Sequence, residues 1–170
     1  LADEIAYNNH DVDDGLRYGL ISMKQLMEIR IFREQYDLVN SRYPGLNERR
    51  QIHEIIRRMI NRMVVDLIDT SKSNLARFNP SHPDDARKQT DYTICFSDEL
   101  REQNQELKRF LRVQLYKHYR VQRMTKKAEQ VLTALFEAFM NDLNILPPEF
   151  RQHCDNLKHQ LGDSGTARGI

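Results

Sequence analysis

Asp3, Tyr7 and Asp11 follow one another at intervals of four residues near the start of the chain. On an α-helix that spacing brings three polar groups to neighbouring rows of one side. At about 1.5 Å per residue the two carboxylates lie about 12 Å apart along the axis, which suits an elongated ligand such as a nucleotide better than one shared metal ion. Each residue also has an ordinary reading. An Asp in a first helical turn complements the helix dipole or caps the helix, and a half-buried Tyr packs. A second group, Arg49, His53 and Arg57, is spaced by four along one edge of an apolar-periodic segment. Charged residues that border a core face are usually just solvated. Arg is also the side chain whose planar fork grips phosphate oxygens bidentately while staying charged.

The run Ala2-Asp3-Glu4-Ile5-Ala6-Tyr7, followed by His10-Asp11-Val12-Asp13-Asp14-Gly15, resembles the last metal-ligand segment of the dGTPase-like HD-domain triphosphohydrolases. In that family the metal is held by a His, a His-Asp dipeptide and a distant Asp, and Asp3 matches the distant Asp. The resemblance implies a catalytic metal ligand at Asp3 and a divalent cation there, Mg²⁺, Mn²⁺ or Fe²⁺, since imidazole and carboxylate suit such ions. It implies that Tyr7 packs against the deoxyribose and Asp11 hydrogen-bonds the sugar 3′-hydroxyl. His10-Asp11 is therefore not the metal-binding pair. Arg49 and His53 are similar to the family's phosphate- and sugar-contacting pair; Arg57 and Arg58 have only spacing in their favour. Tyr116-Lys117-His118-Tyr119-Arg120-Val121 looks like a further family segment, serving subunit contacts or an allosteric nucleotide site.

The implied activity is metal-dependent hydrolysis of deoxynucleoside triphosphates, dGTP or several dNTPs, to deoxynucleoside and triphosphate, in a homo-oligomer. The His and His-Asp ligands do not occur ahead of Asp3, so the resemblance implies a piece of a longer enzyme that is inactive alone. The alternative is a non-catalytic helical module that lends subunit interfaces to a larger assembly.

The elements that must position these residues are helical. Six Gly, five Pro and few β-branched runs among 170 residues argue against many hairpins and for an all-α protein. Expected helices run from Ala2 past Asn9, from Val12 to Leu20, and from Met23 to Asn40. The clearest periodicity, Ile52, Ile55, Ile56, Met59, Ile60, Met63, Val64, Leu67 and Ile68, predicts a core helix starting near Glu48, with Asn47 as its N-cap. Ser97-Asp98-Glu99 opens another helix, carried to about Arg123. Val131, Leu132, Leu135, Phe136, Phe139 and Met140 predict a further buried face, stopped by Pro147-Pro148. Pro148 then begins a last helix to about Leu161.

The expected organisation is residues 1–70 as the C-terminal part of an HD-like bundle, 71–95 as a loop excursion, 96–161 as a C-terminal helical region and 162–170 as a tail. Composition excludes little else. Twenty-six Lys and Arg against 25 Asp and Glu give a net charge of +1, no general reason for a nucleic-acid or anionic-membrane partner. The basic, aromatic stretch Leu115 to Met124 is the one weak pointer to nucleic acid, and its helical spacing favours packing. No apolar run is long enough for a membrane span, and Cys95 and Cys154 have no metal-like spacing, so a reducing cytoplasm is expected. His82, His153 and His159 read as surface residues.

Overall fold

The computed structural model describes residues 1–87 and 92–162, except the side chains of Pro83 and Ala86. It is all-α, with no strand among the described residues. Two compact units divide the chain, Leu1–His118 and Tyr119–Ile170. Residues 163–170 of the expected tail, and residues 88–91 of the expected loop, lie outside the described residues.

In the first unit, α1 (Ala2–Arg17) is one helix rather than the two expected. Nothing breaks it between Asn9 and Val12, because the buried Asn9 side chain, a common helix competitor, donates back to the Ile5 carbonyl at 2.7 Å. The Met23–Asn40 stretch, expected as one helix, is instead α2 (Met23–Leu26) and α3 (Arg30–Arg42). Ser22 and Gln25 form a capping box that starts α2. The Arg30 N–H opening α3 donates to Glu106 at 3.0 Å, and the break lets Ile29, Ile31 and Phe32 all enter the core.

The core helix α4 (Glu48–Phe78) starts as expected, with the Asn47 side chain accepting from the Arg50 N–H at 2.9 Å. It ends at Asn79 in the left-handed region, having run on past Ser71 into the stretch where composition predicted loop. Short α5 (Pro83–Arg87) follows, and then α6 (Asp98–Leu111), capped by Ser97. Asp66 on α4 accepts from both the Ser97 N–H at 2.9 Å and the Ser97 hydroxyl at 2.6 Å, tying the start of α6 to α4.

Helices α1 and α3 each pack against both α4 and α6. Ile5, Val12, Phe32, Val39, Ile55, Met59, Met63, Leu100, Leu107 and Leu111 form the core between them. The predicted stripe of α4 is only partly used: Ile55, Ile56, Met59 and Met63 are buried, while Val64 and Ile68 are exposed. At 1.5 Å per residue α4 is roughly 46 Å long, whereas α1 and α3 span roughly 24 and 20 Å and cannot cover it throughout.

Helix α6 passes into a π-helical turn, Arg112–Tyr116, and stops at Lys117 rather than reaching Arg123. The second unit holds α7 (Tyr119–Asn141), a 3₁₀ turn (Leu143–Ile145) and α8 (Pro148–Leu161), the last starting at the expected proline. The expected burial along α7 does not hold. None of its residues is buried, and Val131, Leu132, Leu135 and Phe136 are all exposed. Among the described residues, α7 and α8 each pack chiefly on the 3₁₀ turn, which leaves the apolar side of α7 exposed. Cys154 on α8 is buried and unpaired.

Candidate functional site

The rotation of 100° per residue sorts the side chains of α1. Ile5, Asn8, Asn9, Val12 and Gly15 face inward. The opposite arc is a continuous outward strip, with Asp13 and Arg17 at one margin, His10 and Asp3 along its crest, and Tyr7 and Asp11 at the other margin. Neighbouring helices fix this orientation. Asn8 donates to Asn104 at 3.3 Å, and both Asn104 and Lys108 donate to Glu4 at 2.9 Å, a polar seam between α1 and α6. The Lys108 ammonium, donating to Glu4, holds that carboxyl below its ordinary range.

Along the strip, Asp3 is exposed and has no hydrogen-bond or ion-pair partner among the described residues. Tyr7 is 58% exposed, its ring open to a ligand. Asp11 is half-buried and accepts a hydrogen bond from the Tyr116 hydroxyl at the end of the π turn. Burial raises the Tyr116 phenol well above its usual range, and the Asp11 carboxylate, then Tyr7, add to the effect. Tyr7, Asp11 and Tyr116 thus form one cluster.

A second grouping lies at the other margin. Arg49 and His53, on the first turns of α4, line a cleft of about 560 Å³ together with Asp13, Leu16, Arg17, Glu48 and Ile52. Arg17 is paired with Asp13 at 3.0 Å. Arg57 and Arg58 are engaged elsewhere: both hold Glu54, at 2.7 and 2.8 Å, and depress its carboxyl. The structure therefore separates the expected site residues into a Tyr7–Asp11 cluster and an Arg49–His53 cleft on the two flanks of α1. Asp3 lies on the crest between them.

From the sequence, neither Arg17 nor Tyr116 has a place beside the α1 residues; Tyr116 falls in the segment expected to serve subunit contacts or an allosteric nucleotide site. Arg17 carries a readable signal, four residues beyond Asp13. Tyr116 meets Asp11 across 105 positions, a contact no local pattern encodes. The basic and aromatic run containing it is not one surface helix, because it is divided between the two units after His118. Among the described residues no three His, Cys, Asp or Glu side chains come together to hold a metal.

Residues 94–169 match the phosphohydrolase-associated domain family. Over 94% of its length the chain is 49% identical to a deoxyguanosinetriphosphate triphosphohydrolase-like protein of Nitrosomonas europaea, of which it covers 42%. Most of the chain is thus similar to proteins described as deoxyguanosinetriphosphate triphosphohydrolase-like. It is likewise similar to proteins of the same description from Bordetella pertussis, 50% identical over 89% of the chain, and Geobacter sulfurreducens, 40% identical over 92%; the chain covers 39% and 40% of these two. It spans about two fifths of the length of the curated relatives it matches. The phosphohydrolase-associated segment includes α6, the π turn and Tyr116, whereas Asp3, Tyr7, Asp11, Arg49 and His53 precede it. Among the described residues no helix is long and apolar enough to cross a membrane.

Proposed function

We propose that this chain supplies the sugar side and one metal ligand of an active site that hydrolyses deoxynucleoside triphosphates to deoxynucleoside and inorganic triphosphate. The observation that carries the reading is the α1 strip, on which an unpartnered carboxylate, an open aromatic ring and a pre-oriented carboxylate follow one another at one-turn intervals. The length of that strip, about 12 Å from Asp3 to Asp11, matches a nucleoside with its α-phosphate rather than a lone ion. The relatives' shared description adds dGTP as the first substrate to try.

In this reading Tyr7 lies flat against the deoxyribose, where a ribose 2′-hydroxyl would meet the ring and lose its hydrogen bonds to water. Asp11 accepts from the 3′-hydroxyl and fixes the sugar's register. Arg49, in the cleft at the other margin, clamps triphosphate oxygens, and His53 one turn along donates to phosphate or sugar. Water adds to the α-phosphorus, the P–O5′ bond breaks, and the 5′-oxygen leaves with a proton. Asp3 fits a divalent cation as one hard oxygen ligand, since its side chain is exposed and has no partner among the described residues. Such a cation would lower the pKa of bound water and neutralise charge on the phosphate.

The sugar assignment is tested by Tyr7→Ala in the full-length protein, assayed with dGTP and GTP. The preference for the deoxy substrate should narrow by about tenfold or more, because a hydroxyl forced into an apolar contact costs at least about 1.4 kcal/mol. An unchanged deoxy-to-ribo ratio would return Tyr7 to a packing role.

A further inference from the structure

Tyr116 lies in none of the segments that carry the proposed chemistry, yet it reaches the strip. Its hydroxyl donates to one oxygen of Asp11, leaving the other carboxylate oxygen for a ligand. The backbone that presents it is specialised. Tyr116 is the last residue of a π-helical turn, a form that in helical proteins occurs mostly as single turns and often at functional sites. That turn is anchored on α1. Leu115 is buried, and its side chain lies 3.4 Å from where a Cβ on Gly15 would stand, while Ile21 lies 2.8 Å from it. Gly15 is four residues beyond Asp11, on the neighbouring row of the same helix, so Leu115 and Tyr116 dock on α1 side by side. A Cβ at position 15 would collide with Ile21 and only touch Leu115, so the glycine lets Ile21 and the turn pack together against α1.

We propose that Tyr116 is a positioning residue: its hydroxyl fixes the Asp11 carboxylate in the orientation that receives the substrate's 3′-hydroxyl. The inference rests on the reading of Asp11 as the sugar contact. Burial and the neighbouring carboxylate keep the phenol protonated, hence a donor, through the working pH range of a hydrolase.

The test compares dGTP with 2′,3′-dideoxyguanosine triphosphate in the full-length protein, wild type against Tyr116→Phe. The substitution removes one oxygen from a partly exposed ring and leaves Leu115 in place, so the melting temperature serves as control. Wild type should favour the substrate with a 3′-hydroxyl. Tyr116→Phe should reduce that preference about tenfold, mainly through KM for dGTP, in keeping with loss of a hydrogen bond to a charged group. Combined with Asp11→Asn it should add nothing further, since both act on one contact. A merely structural role would slow both substrates equally; retention of the 3′-hydroxyl preference in Tyr116→Phe overturns the inference while leaving Asp11's role intact. Indifference of the wild type to the 3′-hydroxyl overturns the Asp11 reading, and the inference with it.

Discussion

Asp3→Ala in the full-length protein should abolish metal-dependent triphosphate release while leaving the melting temperature within about a degree or two of wild type. Both halves follow from its place on α1. The carboxylate is exposed, bonded to no other described residue and outside the core, so its removal costs little stability; surface substitutions of this kind stay within about 0.5 kcal/mol. If it ligates the cation, its loss removes a term worth several kcal/mol in the transition state, a fall of about 10³-fold in rate. Turnover retained within tenfold, at saturating metal, would show that Asp3 is a helix-dipole residue and nothing more. The control is Glu4→Gln, which disturbs the adjacent Lys108 seam. It should lower stability modestly without removing turnover.

The largest effect on folding is expected at Phe32→Ala. Phe32 is fully buried in α3, the helix that packs on both α4 and α6, so its removal leaves a cavity where three helices meet. The loss should be about 3–5 kcal/mol. With urea m-values of about 1–3 kcal/mol per molar, the far-UV unfolding midpoint of the first unit should fall by at least about 1 M. Leu132→Ala on α7 gives the contrast. Leu132 is 66% exposed within its unit, and the same measurement should move little. Equal destabilisation by the two substitutions would contradict the description of the core.

These two substitutions also mark what the sequence carried. Periodicity located α4 and its cap because a stripe of Ile and Met at helical spacing leaves few alternatives, and Asn47 had a free donor three residues on. It overstated burial on α7 for a physical reason: an apolar stripe records which face wants covering, not whether a neighbour within the same unit covers it. Breaks were the hardest to see. The interruption at Met27–Ile29 depends on Glu106 capping Arg30 from another helix, and the continuity of α1 depends on Asn9 bonding its own backbone, so neither follows from local propensity. At the site, Asp3, Tyr7 and Asp11 were legible because one helix carries them at one-turn spacing. The resemblance, not the spacing, supplied their chemistry. The Arg49–His53 edge was legible in the same way, but its cleft with Asp13 and Arg17 depends on how α1 and α4 cross. The Tyr116–Asp11 contact was not legible, although the segment holding Tyr116 was, since the two meet only after α6 has folded back and ended in a π turn.

The central claim is that this strip serves a reaction that cuts between the 5′-oxygen and the α-phosphorus. Its most direct measurement is product analysis by anion-exchange chromatography of the full-length protein incubated with dGTP and a divalent cation in ¹⁸O-labelled water. The account predicts deoxyguanosine and intact triphosphate in equal amounts, with the label in the triphosphate. Sequential release of orthophosphate through dGDP, or label in the deoxyguanosine 5′-hydroxyl, would contradict it.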